Sequence, residues 1–248
     1  MIKKNIIAIT GSNNINSTTK EITDKILDRL TAFNQEYSFK NIFLGDLNIR
    51  YCIECKECYY NGSCKLDKLD DMIFIRKKMN LADVILFSSP EQAYSVSGIM
   101  KIFIDRLSYQ FHVLSYSGKL GFTLAVTDDI SATDKVNKYL STVSTNLGIK
   151  TLSDYIFSNV NNSTYEKITS IAEDIHRKIQ NNYGYSNFYL ESLFRYYKYL
   201  MVSNNKTNLE NELSQYYEKD FWTQSWIKKT DSFQEFAVKK RSLYYDLK

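Results

Sequence analysis

The sequence predicts a doubly wound α/β fold: a parallel sheet with helices on both faces, followed by a helical extension. Three observations predict it. Short β-type runs alternate with helical patterns five times over about 180 residues, the order of a parallel sheet with crossover helices. The β-type runs are apolar almost throughout, so both faces of the sheet should be covered. Past Tyr183 the strands stop, and any remaining periodicity is helical; that stretch holds 17 of the 36 aromatic residues.

The elements follow in order. Lys4 to Thr10 is the first strand, and Thr18 to Phe33 the first helix, with Ile22, Ile26, Leu27 and Leu30 on one face. Between them lies a hydroxyl-rich loop, Gly11 to Thr19. A strand–loop–helix layout aims backbone N–H groups and hydroxyls at a helix N-terminus, which suits a phosphate. The same residue types serve an ordinary helix cap. The loop has neither the lysine of a Walker sequence nor a G-x-G-x-x-G pattern.

Tyr37 to Leu44 reads as the second strand, with a cysteine-rich loop at its carboxyl end, the edge where open α/β sheets gather ligands. Leu66 to Asn80 reads as a helix with Leu69, Met72, Ile73 and Ile75 or Arg76 on its core side. Ala82 to Ser88 is the third strand, stopped by Pro90, the sole proline. Val96 to Phe111 is a helix, Gly121 to Thr127 a strand, Asp134 to Leu147 a helix and Ile149 to Phe157 the fifth strand. Tyr165 to Ile179 closes the series, with Ile168, Ile171, Ile175 and Ile179 spaced for burial. The expected organisation is one domain over residues 1–182 and a helical extension over 183–248.

All four cysteines lie within thirteen residues: Cys52, Cys55, Cys58 and Cys64, spaced C-x2-C-x2-C-x5-C. Four thiolates on so short a loop can converge on one point. A cubane iron–sulfur cluster suits the two-residue gaps. A structural zinc more often takes two separated C-x2-C knuckles. Plain thiols or redox disulfides are the third reading, and disulfides need an oxidising compartment. If a cluster forms, Cys64 must close it, because no ligands remain for a second.

Composition limits the partners. A net charge of +4, with lysines scattered among acids, does not describe a nucleic-acid surface. No apolar run approaches a membrane span. The opening residues lack the long apolar region and cleavage site of a secretory signal, so a reducing cytoplasm is the expected compartment.

With these residues in view, the first 180 resemble a flavodoxin-like fold. More narrowly they resemble the NAD(P)H-dependent FMN reductase family and its iron–sulfur flavoprotein branch. Gly11-Ser12 through Ser17-Thr18-Thr19 resembles the family's phosphate loop. The four cysteines followed by Asp70-Asp71 resemble the branch's compact motif. Ser89-Pro90, Ser95-Val96-Ser97-Gly98 and Lys101-Ile102-Phe103-Ile104-Asp105-Arg106 resemble the run ending in Lys-x-Phe-Ile-Asp-Arg, the most specific match.

The resemblance implies FMN with its phosphate on Ser12, Asn14, Ser17, Thr18 and Thr19. It sets the isoalloxazine against Pro90, Glu91, Gln92 and Ala93, with Thr127 and Asp128 alongside. It implies a [4Fe-4S] cluster on Cys52, Cys55, Cys58 and Cys64, electrons from ferredoxin or NAD(P)H, a small-molecule acceptor, and a homodimer or homotetramer. The chain departs from the family in three loops. Asn13 and Asn14 replace Pro and Arg, Glu91 and Gln92 replace Val and Tyr, and Asp128 and Asp129 lie where the family is rich in glycine.

The implied function is electron transfer between cluster, FMN and a partner. One alternative is an FMN-only NAD(P)H oxidoreductase acting on a quinone, nitro compound or flavin, with zinc or free thiols at the cysteines. Another is a non-catalytic binding module that kept the fold. Of the two histidines, His176 reads as a surface residue, and His112 as one that could face a ligand. Asp105 and Arg106 read as a structural pair, and Lys239-Lys240-Arg241 as a solvated face. The aromatic extension reads as an arm clasping a neighbouring chain or, second, as a lid over the flavin.

Overall fold

The computed structural model describes residues 4–127, 130–158, 164–203 and 216–245. Five strands form a parallel sheet: β1 (Lys4–Thr10), β2 (Tyr37–Phe43), β3 (Val84–Gln92), β5 (Leu120–Thr127) and β6 (Lys150–Ser158). Their spatial order is β2-β1-β3-β5-β6, and a two-residue arm, β4 (Ser95–Val96), pairs antiparallel with the end of β3. The chain leaves β1 toward one edge and returns to the other side of it as β3. The carboxyl ends of β1 and β3 therefore meet at the point where the strand order reverses, the place where this architecture opens a crevice.

Helices cover both faces, as the apolar strands require. α1 (Thr18–Phe33) and α6 (Thr164–Gln180) bury Ile22, Ile26, Leu30, Ile168 and Ile175 against Ile6, Ala8, Leu86 and Phe122. On the other face, α3 (Met72–Leu81), α4 (Gly98–Asp105) and α5 (Ile130–Asn146) enclose Ile7, Ile9, Ile85 and Phe87. A five-residue helix, α2 (Glu57–Asn61), stands in the cysteine loop.

Three boundaries differ from the sequence expectation. The helix expected from Leu66 splits into a 3-10 turn, Lys65–Lys68, and α3 from Met72. Asp67 is drawn onto buried arginines, and Asp70 Oδ1 accepts the Met72 N–H at 3.1 Å, which restarts the helix. Its core side is Met72, Ile75, Arg76 and Met79, whereas Leu69 and Ile73 are exposed. The helix expected from Val96 begins only at Gly98, because Ser97 caps it, and it ends at Asp105. β3 runs through Pro90 to Gln92. β1 stops pairing at Ser88, so the missing N–H of Pro90 leaves no gap on that side.

The extension folds back on its own chain. α7 (Phe188–Lys198), α8 (Tyr217–Trp222), α9 (Ser225–Lys228) and α10 (Phe233–Tyr245) gather Phe194, Phe221, Trp222, Phe233 and Phe236 around Val113 and Leu114. The described residues of the extension thus form a third core against the sheet, while Phe188, Tyr189, Tyr196 and Tyr199 stay exposed. The Lys239-Lys240-Arg241 run is not a solvated face. Lys240 Nζ is buried and donates to the carbonyls of Val113 (3.0 Å) and Leu114 (2.9 Å), and Arg241 pairs with Asp83. Among the described residues no helix is long and apolar enough to cross a membrane.

Candidate functional site

Two loops project from the carboxyl edge of the sheet. The first joins β1 to α1. Ser12 and Ser17 are buried within it, while Asn13, Asn14, Ile15 and Asn16 are exposed. Short local bonds shape it: Asn14 N–H to Ser12 Oγ (3.2 Å), Asn16 N–H to Asn14 Oδ1 (3.0 Å) and Ser17 N–H to the Asn14 carbonyl (2.9 Å). Ser17 is the helix cap, accepting Lys20 N–H at 3.3 Å. The N–H groups of Thr18 and Thr19 sit in the first turn of α1, where no preceding carbonyl of the helix can receive them.

Ser97, which sequence reasoning did not single out, fastens this loop to the end of β3. Its Oγ donates to the Gly11 carbonyl (2.6 Å), its N–H reaches Ser89 Oγ (3.1 Å), and its Oγ accepts Met100 N–H (3.3 Å). A side chain at residue 11 would strike Met100 Cβ at 2.5 Å, so the approach requires glycine. The signal was present in the sequence as a serine directly before an apolar helix.

Pro90 and Glu91 continue from this junction. Gln92 pairs with Ser95 across a two-residue turn, Ala93-Tyr94, and both turn residues are left-handed (φ 50° and 62°). This is the hairpin geometry that usually selects Asn-Gly. Glu91 Oε1 accepts the Tyr94 N–H at 2.5 Å, so its carboxylate holds the turn together. Pro90 faces Val126 in register, which brings Thr127 to the same edge. Asp128 and Asp129 lie outside the described residues. The structure therefore gathers Ser12, Asn14, Ser17, Thr18, Thr19, Pro90, Glu91, Gln92, Ala93 and Thr127 along one edge of the sheet.

The second loop carries the cysteines. Its neck is zipped: Asn48 N–H to Asp71 Oδ2 (2.8 Å), Asp71 N–H to the Asn48 carbonyl (2.9 Å) and Arg50 N–H to Asp70 Oδ2 (3.1 Å). Arg106 fastens both sides at once. Its guanidinium donates to the Arg50 carbonyl (2.9 Å), to Asp67 Oδ1 (2.9 Å) and to Asp70. Arg76 joins through Asp67. Asp105 pairs instead with Lys101, so Asp105 and Arg106 are not a pair with each other. The arginine of the Lys-x-Phe-Ile-Asp-Arg run is thus the staple of the cysteine loop.

Burial works against both charges in this staple, and the partners outweigh it. Arg106 and the N–H groups of Arg50 and Met72 hold the Asp70 carboxyl below its usual range; Asp70, Cys64 and Asp67 hold Arg106 above its own. Arg106 Nε and Arg76 Nη1 are buried donors without a hydrogen-bond partner.

Inside the loop, left-handed residues at Glu54 and Lys56 curl the chain, and Gly62 (φ 67°) ends α2. None of the four cysteines is paired in a disulfide; Cys55 is exposed and the others are half-buried. Burial pushes the Cys58 thiol up to about 11, with Cys64, Cys52 and Cys55 adding to the rise. Cys52, Cys55 and Cys64 therefore each lie within electrostatic reach of Cys58. Among the described residues, no three His, Cys, Asp or Glu side chains are gathered to hold a metal ion.

The histidines stand elsewhere than expected. His112 Nδ1 meets Glu218 Oε1 of the extension at 2.8 Å. His176 is half-buried, with Nδ1 3.1 Å from the Tyr37 hydroxyl. A groove of about 1150 Å³ between α5, β6 and α7 lies at the β6 edge and touches neither loop.

Residues 4–163 match the family described as NADPH-dependent FMN reductase. The chain belongs to this family of FMN-dependent oxidoreductases. An iron-sulfur flavoprotein of Clostridioides difficile (strain 630) is 28% identical over 111 residues, 45% of this chain and 49% of the relative. An iron-sulfur flavoprotein of Archaeoglobus fulgidus is 26% identical over 137 residues, 55% of this chain and 60% of the relative. The chain thus spans about half the length of these relatives. Among solved structures, the NAD(P)H:quinone oxidoreductase from Methanothermobacter marburgensis superposes with a TM-score of 0.57 at 14% identity, over 73% of this chain and 98% of that one. At that identity the likeness is one of fold. The family match ends before the extension begins.

Proposed function

We propose that the chain is an iron–sulfur flavoprotein oxidoreductase that passes electrons between a [4Fe-4S] cluster, FMN and a redox partner or small-molecule acceptor. The observation that carries this reading is the cysteine loop: four cysteines within thirteen residues, three of them within electrostatic reach of Cys58, on a neck stapled by buried Arg106. Unpartnered donors on Arg106 and Arg76 stand behind that loop, and hydrogen bonds and charge are what tune such a centre.

FMN supplies chemistry in which electrons move singly or in pairs, which is what joining a one-electron centre to a hydride donor requires. The residues of this chain that would hold it are Ser12, Asn14, Ser17, Thr18 and Thr19 at the phosphate, and Pro90 to Ala93 with Thr127 and Asp128 at the ring. The buried junction of Gly11, Ser89 and Ser97 keeps those two groups in fixed relation. Cys52, Cys55, Cys58 and Cys64 would hold the cluster. Ferredoxin or NAD(P)H is the proposed donor, the proposed assembly a homodimer or homotetramer, and the proposed compartment the cytoplasm. The proposed domain division is 1–182 and 183–248.

The deciding measurement is an anaerobic absorbance spectrum with iron, sulfide and FMN assayed on the same sample. Flavin bands on a broad iron–sulfur background, near four irons per chain, are expected. Flavin without iron would establish the second reading, an FMN-only NAD(P)H oxidoreductase.

A further inference from the structure

We infer that α8 of the C-terminal extension is a clasp for the cysteine loop, and that Tyr217, Glu218 and His112 are positioning residues for it. α2 carries Cys58 and is five residues long, too short to hold a helix by itself. It has no buried residue of its own. Something outside it must keep its shape, and α8 lies against it.

Two contacts tie the two segments directly, and two bonds from α8 reach His112, whose ring lies beside α2. The Tyr217 ring fills the space beside Gly62, where an added Cβ would stand 2.7 Å from it. Tyr60 stacks on Tyr216 with centroids 4.7 Å apart. Glu218, only 4% exposed, bonds His112, whose ring lies 5.9 Å from that of Tyr59, the neighbour of Cys58. Trp222 Nε1 donates to the His112 carbonyl at 2.9 Å, so α8 grips residue 112 by side chain and backbone alike.

Trp222 is fully buried in the third core, which anchors the clasp to the rest of the extension. The loop is thus held twice, at its neck by Arg106 and over α2 by a helix some 150 residues downstream. The functional meaning rests on the cysteine loop being the redox site, but the contact itself does not.

The test uses the full, metal-free chain under reducing conditions. Alkylation by iodoacetamide is followed at each cysteine by mass spectrometry, in a Trp226→Phe background so that Trp222 emission alone reports the seat of α8. In Tyr217→Ala and Glu218→Ala, alkylation of Cys58 should rise at least tenfold while exposed Cys55 stays within twofold. Glu218→Gln, which keeps an acceptor for His112, should restore a rate near that of the parent. An unchanged Cys58 rate in a variant whose Trp222 emission shows α8 displaced would overturn the clasp. Hydrogen exchange on the unaltered chain gives the answer even if the alanine variants do not fold. Amides of Tyr59 and Gly62 should open with the same protection as Lys219 and Thr223; free exchange in α2 beside a protected α8 would also overturn it. Protein purified anaerobically without iron would sink the cluster reading and leave the clasp standing, because the clasp is read on the metal-free chain.

Discussion

The phosphate-type loop and the cysteine loop project from the same sheet edge, yet they are held in opposite ways. Past its one remote tie, Ser97 to the Gly11 carbonyl, the first is shaped by neighbours in sequence: Ser12 receives Asn14, Asn14 receives Asn16, and Ser17 caps α1. The second takes its shape from residues far along the chain, Arg106 at its neck and α8 over α2. A loop built from local hydrogen bonds loses little when any one is removed. A loop without its own core depends on each remote contact, and its stability is that of its anchors.

That contrast orders the expected effects. Arg106→Gln should be the most damaging, by about 3–5 kcal/mol, because it leaves the buried Asp70 carboxylate without its cation and Asp67 with Arg76 alone. Chemical denaturation measures it, and a loss under 1 kcal/mol would mean that the neck holds without its staple.

Lys240 anchors the core that carries the clasp. Burial, with a smaller push from Lys119, lowers its ammonium from 10.5 to about 7. Between those values the unfolded chain holds a proton that the folded chain has released, so stability rises with pH across that window. Relative to Lys240→Met, the parent should gain up to about 1.4 kcal/mol per pH unit from pH 7 to 10. Parallel stability curves for the two proteins would refute the shift.

Gly62→Ala combines a left-handed backbone with a collision against Tyr217. It should cost about 1–3 kcal/mol and raise Cys58 alkylation, while FMN affinity stays unchanged. Ser17→Ala should be the mildest, about 1 kcal/mol from a lost cap, and should weaken FMN binding without touching the cysteines. Matching effects of these two substitutions on both ligands would erase the distinction between the loops.

The sheet domain was legible because its signals are local. Apolar runs gave the strands, and Ile22, Ile26 and Leu30 gave the buried face of α1. The boundaries that shifted did so where a distant partner intervened. Asp67 and Asp70 looked like part of a helix but turn inward to arginines up to 39 residues away. Lys240 and Arg241 looked solvated, since nothing nearby in the chain announces the carbonyls of Val113, Leu114 and Gly118 that receive them. Glu91 looked like a departure in a flavin contact and proved to brace a strained turn.

By itself the sequence determined the strand–helix alternation, the hydroxyl loop ahead of α1 and the clustering of all four thiols. Each is written in periodicity or spacing over a few residues, where backbone geometry leaves few choices. Only the tertiary structure decided that Arg106 staples the cysteine loop, that the aromatic extension packs on its own chain, and that His112 answers to Glu218. Those outcomes depend on which buried charges and rings meet across separations of up to 158 residues. Burial makes an unpartnered group costly, so the fold selects the pairings, and local sequence carries no record of them.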